Sequence, residues 1–177
     1  MNLNEKKILF ADLDGTLIQT ASGKTFAEDC TDFRIRKDVL DKIRRMDGLS
    51  FIQIVTNQGG IPQFITKRDF EAKIWGIAQF IRAYVNEDIF SEDRVEVGFS
   101  YCDSMEKDNP HRKPNTGMLD SFIDENLRFA NKSLKDKANM LMIGDASGKD
   151  GQFSDSDKKC AENFGIDYLD VEDFLNA

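Results

Sequence analysis

The run Ile8-Leu9-Phe10-Ala11-Asp12-Leu13-Asp14-Gly15-Thr16 decides how the rest of this chain is read. Four consecutive apolar residues, Ile8 to Ala11, fit a strand buried on both faces. Two carboxylates follow, one residue apart, and Gly15 ends the strand. Residues two apart on a strand point to the same side, so Asp12 and Asp14 are expected to converge on one small volume at the strand's carboxyl end. Like charges so close are costly unless a cation lies between them or one carboxyl keeps its proton. Only oxygen ligands are on offer, which suits a hard cation, Mg²⁺. Taken alone, Asp-x-Asp-Gly reads equally well as a strand running into a turn with two solvated acids. The rest of the chain separates the two readings.

With 177 residues, 40% of them hydrophobic, the chain suffices for one domain with a real core, taken as residues 1–177 without an internal linker. A net charge of -8 argues against a nonspecific nucleic-acid coat and against an anionic membrane surface, though not against a local basic groove. Cys30, Cys102 and Cys160 are widely spaced and odd in number, which fits a reducing compartment rather than a disulfide framework. No apolar run approaches the ~20 residues of a membrane span, and the opening residues lack the apolar core of a signal peptide. The expectation is a soluble, cytoplasmic, monomeric domain with no membrane and no obligate protein partner.

Helical spacing marks Lys37 to Met46, Arg68 to Asn86, Thr116 to Phe129 and Asp157 to Phe164. Short apolar runs mark strands at Phe51–Val55, Val95–Phe99, Met140–Ile143 and Asp167–Leu169. Residues 17–36 show no clear period and read as a loop or small flap over the first strand's end. Alternating strands and helices imply an α/β fold, a Rossmann-like three-layer sandwich around a parallel sheet with right-handed crossovers. Ligands bind such sheets at the strands' carboxyl ends. There the sequence places Asp12 and Asp14, then Thr56, then the loop holding Lys113, then Asp145. Acids at two strand ends make an Mg²⁺ site from Asp12, Asp14 and Asp145. A hydroxyl and a lysine facing it suit a phosphoryl group, with Thr56 and neighbouring backbone N–H groups holding its oxygens and Lys113 neutralising its charge. One carboxylate could attack phosphorus and the other serve as general acid and base.

Asp12-Leu13-Asp14-Gly15-Thr16, Thr56-Asn57-Gln58, Arg112-Lys113-Pro114 and Gly144-Asp145 together resemble the four motifs of the haloacid dehalogenase superfamily of phosphohydrolases. Ser22-Gly23-Lys24 with Phe26, and Asp32-Phe33-Arg34-Ile35, are similar to the flap of the polynucleotide 3′-phosphatase family, the phosphatase half of polynucleotide kinase-phosphatase. Arg112 to Met118, Gly144 to Lys149 and Phe153 to Asp157 extend the likeness over nearly the whole chain. The resemblance implies Asp12 as nucleophile and Asp14 as general acid/base. It implies Asp12, the Asp14 backbone carbonyl and Asp145 as Mg²⁺ ligands, and Thr56 and Lys113 as phosphate-binding groups. Asp157 is preferred over Asp150 as a second acid of the fourth motif. A substrate-binding set of Thr56, Asn57, Lys113, Lys24, Arg34 and Arg112 follows, for a phosphorylated nucleic-acid 3′ end.

Each residue also has a plain reading. Lys113 could be an ordinary loop lysine, Thr56 a strand end and Asp145 a turn cap; their joint occurrence after successive strands argues otherwise. His111 reads as a solvated loop residue, and Trp75 as helix packing. Ser22-Gly23-Lys24-Thr25 ends like a P-loop but has Ile18 where the first glycine is required. Relatives acting on histidinol phosphate or heptose bisphosphate carry a Cys/His zinc loop before Arg-Lys-Pro; Cys102 and His111 are too few for it. A small-molecule phosphatase and a non-catalytic module binding phosphorylated ends remain the alternatives.

Overall fold

The fold is seen in a computed structural model that describes residues 1–25, 27–86 and 94–177. Phe26, part of the flap resemblance, lies outside them. Strand β1 (Ile8–Ala11) is buried along its whole length. It is followed by the two-residue strands β2 (Ile18–Gln19) and β3 (Arg34–Ile35), then helix α1 (Lys37–Arg44), β4 (Phe51–Asn57), α2 (Lys67–Val85) and β5 (Glu96–Cys102). The chain continues through α3 (Gly117–Asn126), the single turn α4 (Lys132–Lys135), β6 (Met140–Gly144), α5 (Ser156–Phe164), β7 (Asp167–Asp170) and α6 (Val171–Asn176). The main sheet has the order β5-β4-β1-β6-β7, parallel at every pairing. β1 is central, with β4 on one side and β6 on the other. The order reverses between β1 and β6, so the crevice between their carboxyl ends is where this topology opens a site.

The pleat of β1 sends its residues into two different cores. Leu9 and Ala11 join Val39, Leu40 and Ile43 of α1 with Phe70, Ile74 and Ile81 of α2. Ile8 and Phe10 join Met118, Leu119 and Phe122 of α3 with Cys160, Ala161 and Phe164 of α5. Phe10 is fully buried, and its ring meets those of Phe122 and Phe164 edge-on at 5.4 and 6.1 Å. Truncating such a ring costs on the order of 3–5 kcal/mol. The same alternation continues one step past the strand. Asp12 follows Phe10 onto the α3/α5 face, and Leu13 returns to the α1/α2 core.

Boundaries differ from the sequence expectation where pairing outruns the apolar signal. β4 continues through Thr56 and Asn57 because these pair with Tyr101 and Cys102, which also carries β5 well past Phe99. β5 is an edge strand and half-buried over most of its length, so its polar Ser100 and Tyr101 obscured it. Helix α3 stops at Asn126, and Phe129 stands exposed beyond it. α1 ends at Arg44, two residues short of Met46. Within the expected flap, Ile18 pairs opposite Ile35 and Gln19 opposite Arg34 as two short antiparallel strands. Among the described residues no helix is long and apolar enough to cross a membrane.

Candidate active site

Asp12 donates its backbone N–H to the Ile143 carbonyl at 3.0 Å, one rung beyond the last residue of β1. This ties it beside Gly144 and Asp145 at the end of β6. Lys113 enters from the loop before α3, and Asp157 from the first turn of α5; both elements pack on the face that carries Phe10. Lys113 Nζ lies 2.6 Å from Asp12 Oδ1 and 2.7 Å from Asp157 Oδ1, and donates to the Val55 carbonyl at 2.8 Å. All three side chains are buried, Lys113 at 3% exposure and Asp157 at 1%. Carboxylate oxygens of Asp12, Asp145 and Asp157 fall within 4.8 Å of one another.

Two glycines make this clustering possible. A Cβ on Gly144 would stand 2.2 Å from Asp157 Oδ2, and a Cβ on Gly15 would stand 2.0 Å from Asp145 Oδ2. Gly15 also adopts φ +84°, in the left-handed region. The acids therefore lie flat on bare backbone, and the Ala146 N–H donates to Asp157 Oδ2 at 3.1 Å.

Three acids against one lysine leave an uncompensated negative pocket. Burial pushes the Asp12 carboxyl well above its ordinary range; Lys113 opposes this, and Asp157 and Asp145 add to it. Asp145 is raised to about 6, first by burial and then by Asp157, with Lys113 pulling the other way. Burial alone would lower Lys113, but Asp12 and Asp157 more than reverse it and hold the ammonium charged. An all-oxygen donor set with this excess charge fits a hard divalent cation such as Mg²⁺. Asp12, Asp145 and Asp157 would hold it.

Asp14 does not join the cluster by its side chain. β1 ends at Ala11, and the chain turns at once, with the N–H groups of Leu17 and Ile18 both donating to the Leu13 carbonyl. The two-residue alternation expected of Asp12 and Asp14 ends there. Asp12 points in, while Asp14 is exposed and accepts from Gln58 Nε2 at 2.7 Å. Gln58 also donates to Thr56 Oγ1 at 3.0 Å, so it links the second acid to the phosphate-side hydroxyl. Sequence reasoning assigned Gln58 no separate task. Thr56 is buried at the end of β4, as expected.

Asn57 was expected to bind substrate, but its side chain is engaged otherwise. Its Oδ1 accepts from the Lys113 N–H and its Nδ2 donates to the Lys113 carbonyl, both at 3.0 Å. That clasp fixes the lysine loop. Asp157, not Asp150, is the fourth-motif acid that reaches the cluster; Asp150 is exposed in the preceding loop. Arg112 is half-buried and donates Nη1 to the Ser104 carbonyl at 2.7 Å. In the flap, Lys24 pairs with Glu28 and Arg34 is exposed. Asp32 holds the flap's turn by accepting from the Glu28 N–H and from Ser22 N–H and Oγ, which lowers its carboxyl to about 2. Arg36 binds the Gly15 carbonyl, Asp38 and Glu172 and is a structural clamp. His111 is exposed, its Nε2 3.3 Å from Ser121 Oγ.

A central parallel sheet whose β1 and β6 ends bring aspartates together beside a buried lysine is the arrangement of a haloacid dehalogenase-type phosphatase. A family model described as "Polynucleotide kinase 3 phosphatase" matches residues 7–175, and the chain belongs to that family. A bifunctional polynucleotide phosphatase/kinase of Schizosaccharomyces pombe is 32% identical over 174 residues, covering 96% of this chain and 38% of the relative. The histidine biosynthesis bifunctional protein HisB of Legionella pneumophila is 31% identical over 180 residues, 94% of this chain and 41% of the relative. The chain thus spans about two fifths of these two relatives. A polynucleotide 3′-phosphatase of Saccharomyces cerevisiae is 25% identical, covering 94% of this chain and 86% of its own. Among solved structures, one described as a putative haloacid dehalogenase-like phosphatase from Mesorhizobium loti superposes with a TM-score of 0.61 at 22% identity, covering 97% of this chain and 83% of that one. That likeness carries the fold.

Proposed function

We propose that this chain is a Mg²⁺-dependent phosphomonoesterase acting through an aspartyl phosphate on 3′-phosphate ends of polynucleotides. The observation that carries it is the acid trio of Asp12, Asp145 and Asp157, with buried Lys113 paired to Asp12 and Asp157. When bound, Mg²⁺ supplies positive charge to the non-bridging oxygens of the phosphoryl group. Lys113 adds a fixed cation and holds the Asp12 carboxylate by Oδ1. An Asp12 oxygen attacks phosphorus, the bond from phosphorus to the 3′ oxygen breaks, and Asp14 gives its proton to the leaving alkoxide. Asp14 then takes a proton from water, which attacks phosphorus and releases inorganic phosphate from Asp12. The Gln58 hydrogen bond aims Asp14 for both transfers, and its exposed position gives water access.

The polynucleotide assignment is supported by family membership and by two relatives named as polynucleotide phosphatases. A second reading, hydrolysis of a small phosphate ester, is favoured by the HisB relative. Against it, the one His/Cys/Asp/Glu metal cluster among the described residues is the three aspartates, with no Cys/His zinc loop. The test is kcat/KM on matched 3′- and 5′-phosphorylated DNA and RNA oligonucleotides, histidinol phosphate and sugar phosphates. The 3′ ends are expected to win. Faster turnover of a small ester by a wide margin, with no 3′ over 5′ preference, would replace this reading by the second.

A further inference from the structure

Beside the catalytic cluster the molecule holds an apolar shelf that the chemistry above does not use. Phe64, between β4 and α2, is 89% exposed, and Met105, after β5, is 67% exposed. Both lie against Gly59-Gly60. A Cβ on Gly59 would stand 2.0 Å from Met105 Sδ, and one on Gly60 would stand 3.3 Å from Phe64 Cδ2. Neither glycine has positive φ, so backbone conformation does not demand them. What they provide is clearance for a thioether and a ring close to the main chain. Arg112 Nη1 comes to 3.5 Å of the same Gly59 position. The shelf joins the site by two routes. Gly59 is three residues from Thr56, at most about 11 Å of chain, and Arg112 is the immediate neighbour of Lys113.

We propose that Phe64 and Met105 form a nucleobase platform, on which an unpaired base near the phosphorylated 3′ end stacks while Arg112 faces the adjoining backbone phosphate. This rests on the polynucleotide reading above. Two exposed apolar side chains sit on adjacent glycines, a guanidinium lies beside one of them, and the chain joins Gly59 to Thr56 within three residues and Arg112 directly to Lys113, where a nucleotide connected to the phosphoryl group must pass. Aromatic faces accept any base, so the platform binds single-stranded ends without reading sequence.

The test compares wild type, Phe64→Ala, Phe64→Trp, Met105→Ala and, as control, Phe129→Ala. Phe129 is 94% exposed but lies in the segment leading to the amino end of β6, whereas the site is at the strands' carboxyl ends. Substrates are a 3′-phosphorylated single-stranded oligonucleotide, the same strand with abasic terminal nucleotides, and p-nitrophenyl phosphate. Phe64→Ala should lower kcat/KM about tenfold on the base-bearing strand, a stacking-sized loss, and Phe64→Trp should restore it. Neither the abasic strand nor p-nitrophenyl phosphate should respond, and Phe129→Ala should match wild type throughout. In chelator, where no turnover occurs, a 2-aminopurine base at the 3′ end should be quenched by wild type and not by Phe64→Ala. Equal kcat/KM for wild type and Phe64→Ala on the base-bearing strand, or equal losses on the abasic one, would overturn the platform and leave the polynucleotide reading standing. If wild type itself gains nothing from the oligonucleotide over p-nitrophenyl phosphate, the reading beneath it falls as well.

Discussion

Replacing Lys113 by Met keeps an unbranched side chain, one atom shorter, and removes its charge, and the outcome follows from what surrounds it. The ammonium sits 2.6 and 2.7 Å from two carboxylates in a buried site. At an effective dielectric near 20, each contact is worth about 6 kcal/mol before desolvation. Much of that is offset by the cost of burying the charges, and removing one partner of a buried pair typically costs about 3–5 kcal/mol because the other is left uncompensated. Here the remaining groups can escape by taking up protons. Burial already raises the Asp12 carboxyl and Lys113 opposes this, so without Lys113 it should be raised further above its unfolded value. Groups raised in this way support the fold at low pH and cease to as pH rises through their folded values. The stability deficit of Lys113→Met should therefore be small near pH 5 and reach about 3–5 kcal/mol near pH 8, and saturating Mg²⁺ should reduce it. Urea unfolding of variant and wild type at both pH values, with and without Mg²⁺, measures this. A deficit independent of both pH and Mg²⁺ would mean that Lys113 contributes packing and not charge.

Gly15→Ala should remove most activity and weaken Mg²⁺ binding, since a Cβ there meets Asp145 at 2.0 Å and φ is +84°; calorimetric titration of Mg²⁺ checks it. Asp157→Ala should weaken Mg²⁺ binding at least tenfold, while Asp150→Ala changes it less than twofold, and the same titration compares them. With Asp145 raised to about 6 in the metal-free protein, protons compete with Mg²⁺ below that pH. The rise in Tm on adding Mg²⁺ should accordingly be larger at pH 8 than at pH 5, and thermal unfolding across that range decides it.

The parallel sheet and three of the four clustered residues were legible because each announces itself locally. An apolar run ending in acids gives Asp12 and Asp145, and Lys113 stands between Arg112 and Pro114 in a polar loop. Asp157 was harder, separated from Asp150 by its place at a helix start, its spacing to Gly165 and the family likeness of the residues before it. Gly144 was a usable signal, because an acid lying against the strand end needs a bare residue there. Asp14 misled because strand alternation was carried past Ala11, where the ladder had already ended and the chain turned. Asn57 misled because an amide within a phosphate-binding motif looks like a ligand group, whereas its partner is the backbone of a loop more than fifty residues away. Contacts of that kind have no period or spacing to reveal them. The flap hairpin was invisible as strands, since two paired residues on each side are too few to show alternation.

The claim at the centre of this account is that Asp12 carries the phosphoryl group. Asp14→Asn should still form that intermediate, because Asp12, Lys113 and the acid trio are untouched, but it should hydrolyse it slowly for want of a base. Rapid mixing of Asp14→Asn with Mg²⁺ and a 3′-phosphorylated oligonucleotide, acid quenching and peptide mass analysis reads the outcome. The account predicts one added phosphoryl group on the peptide containing Asp12, lost on hydroxylamine treatment and absent when Asp12 is also changed to Asn. Phosphate release by Asp12→Asn at a near wild-type rate, with no phosphorylated peptide in either variant, would contradict it.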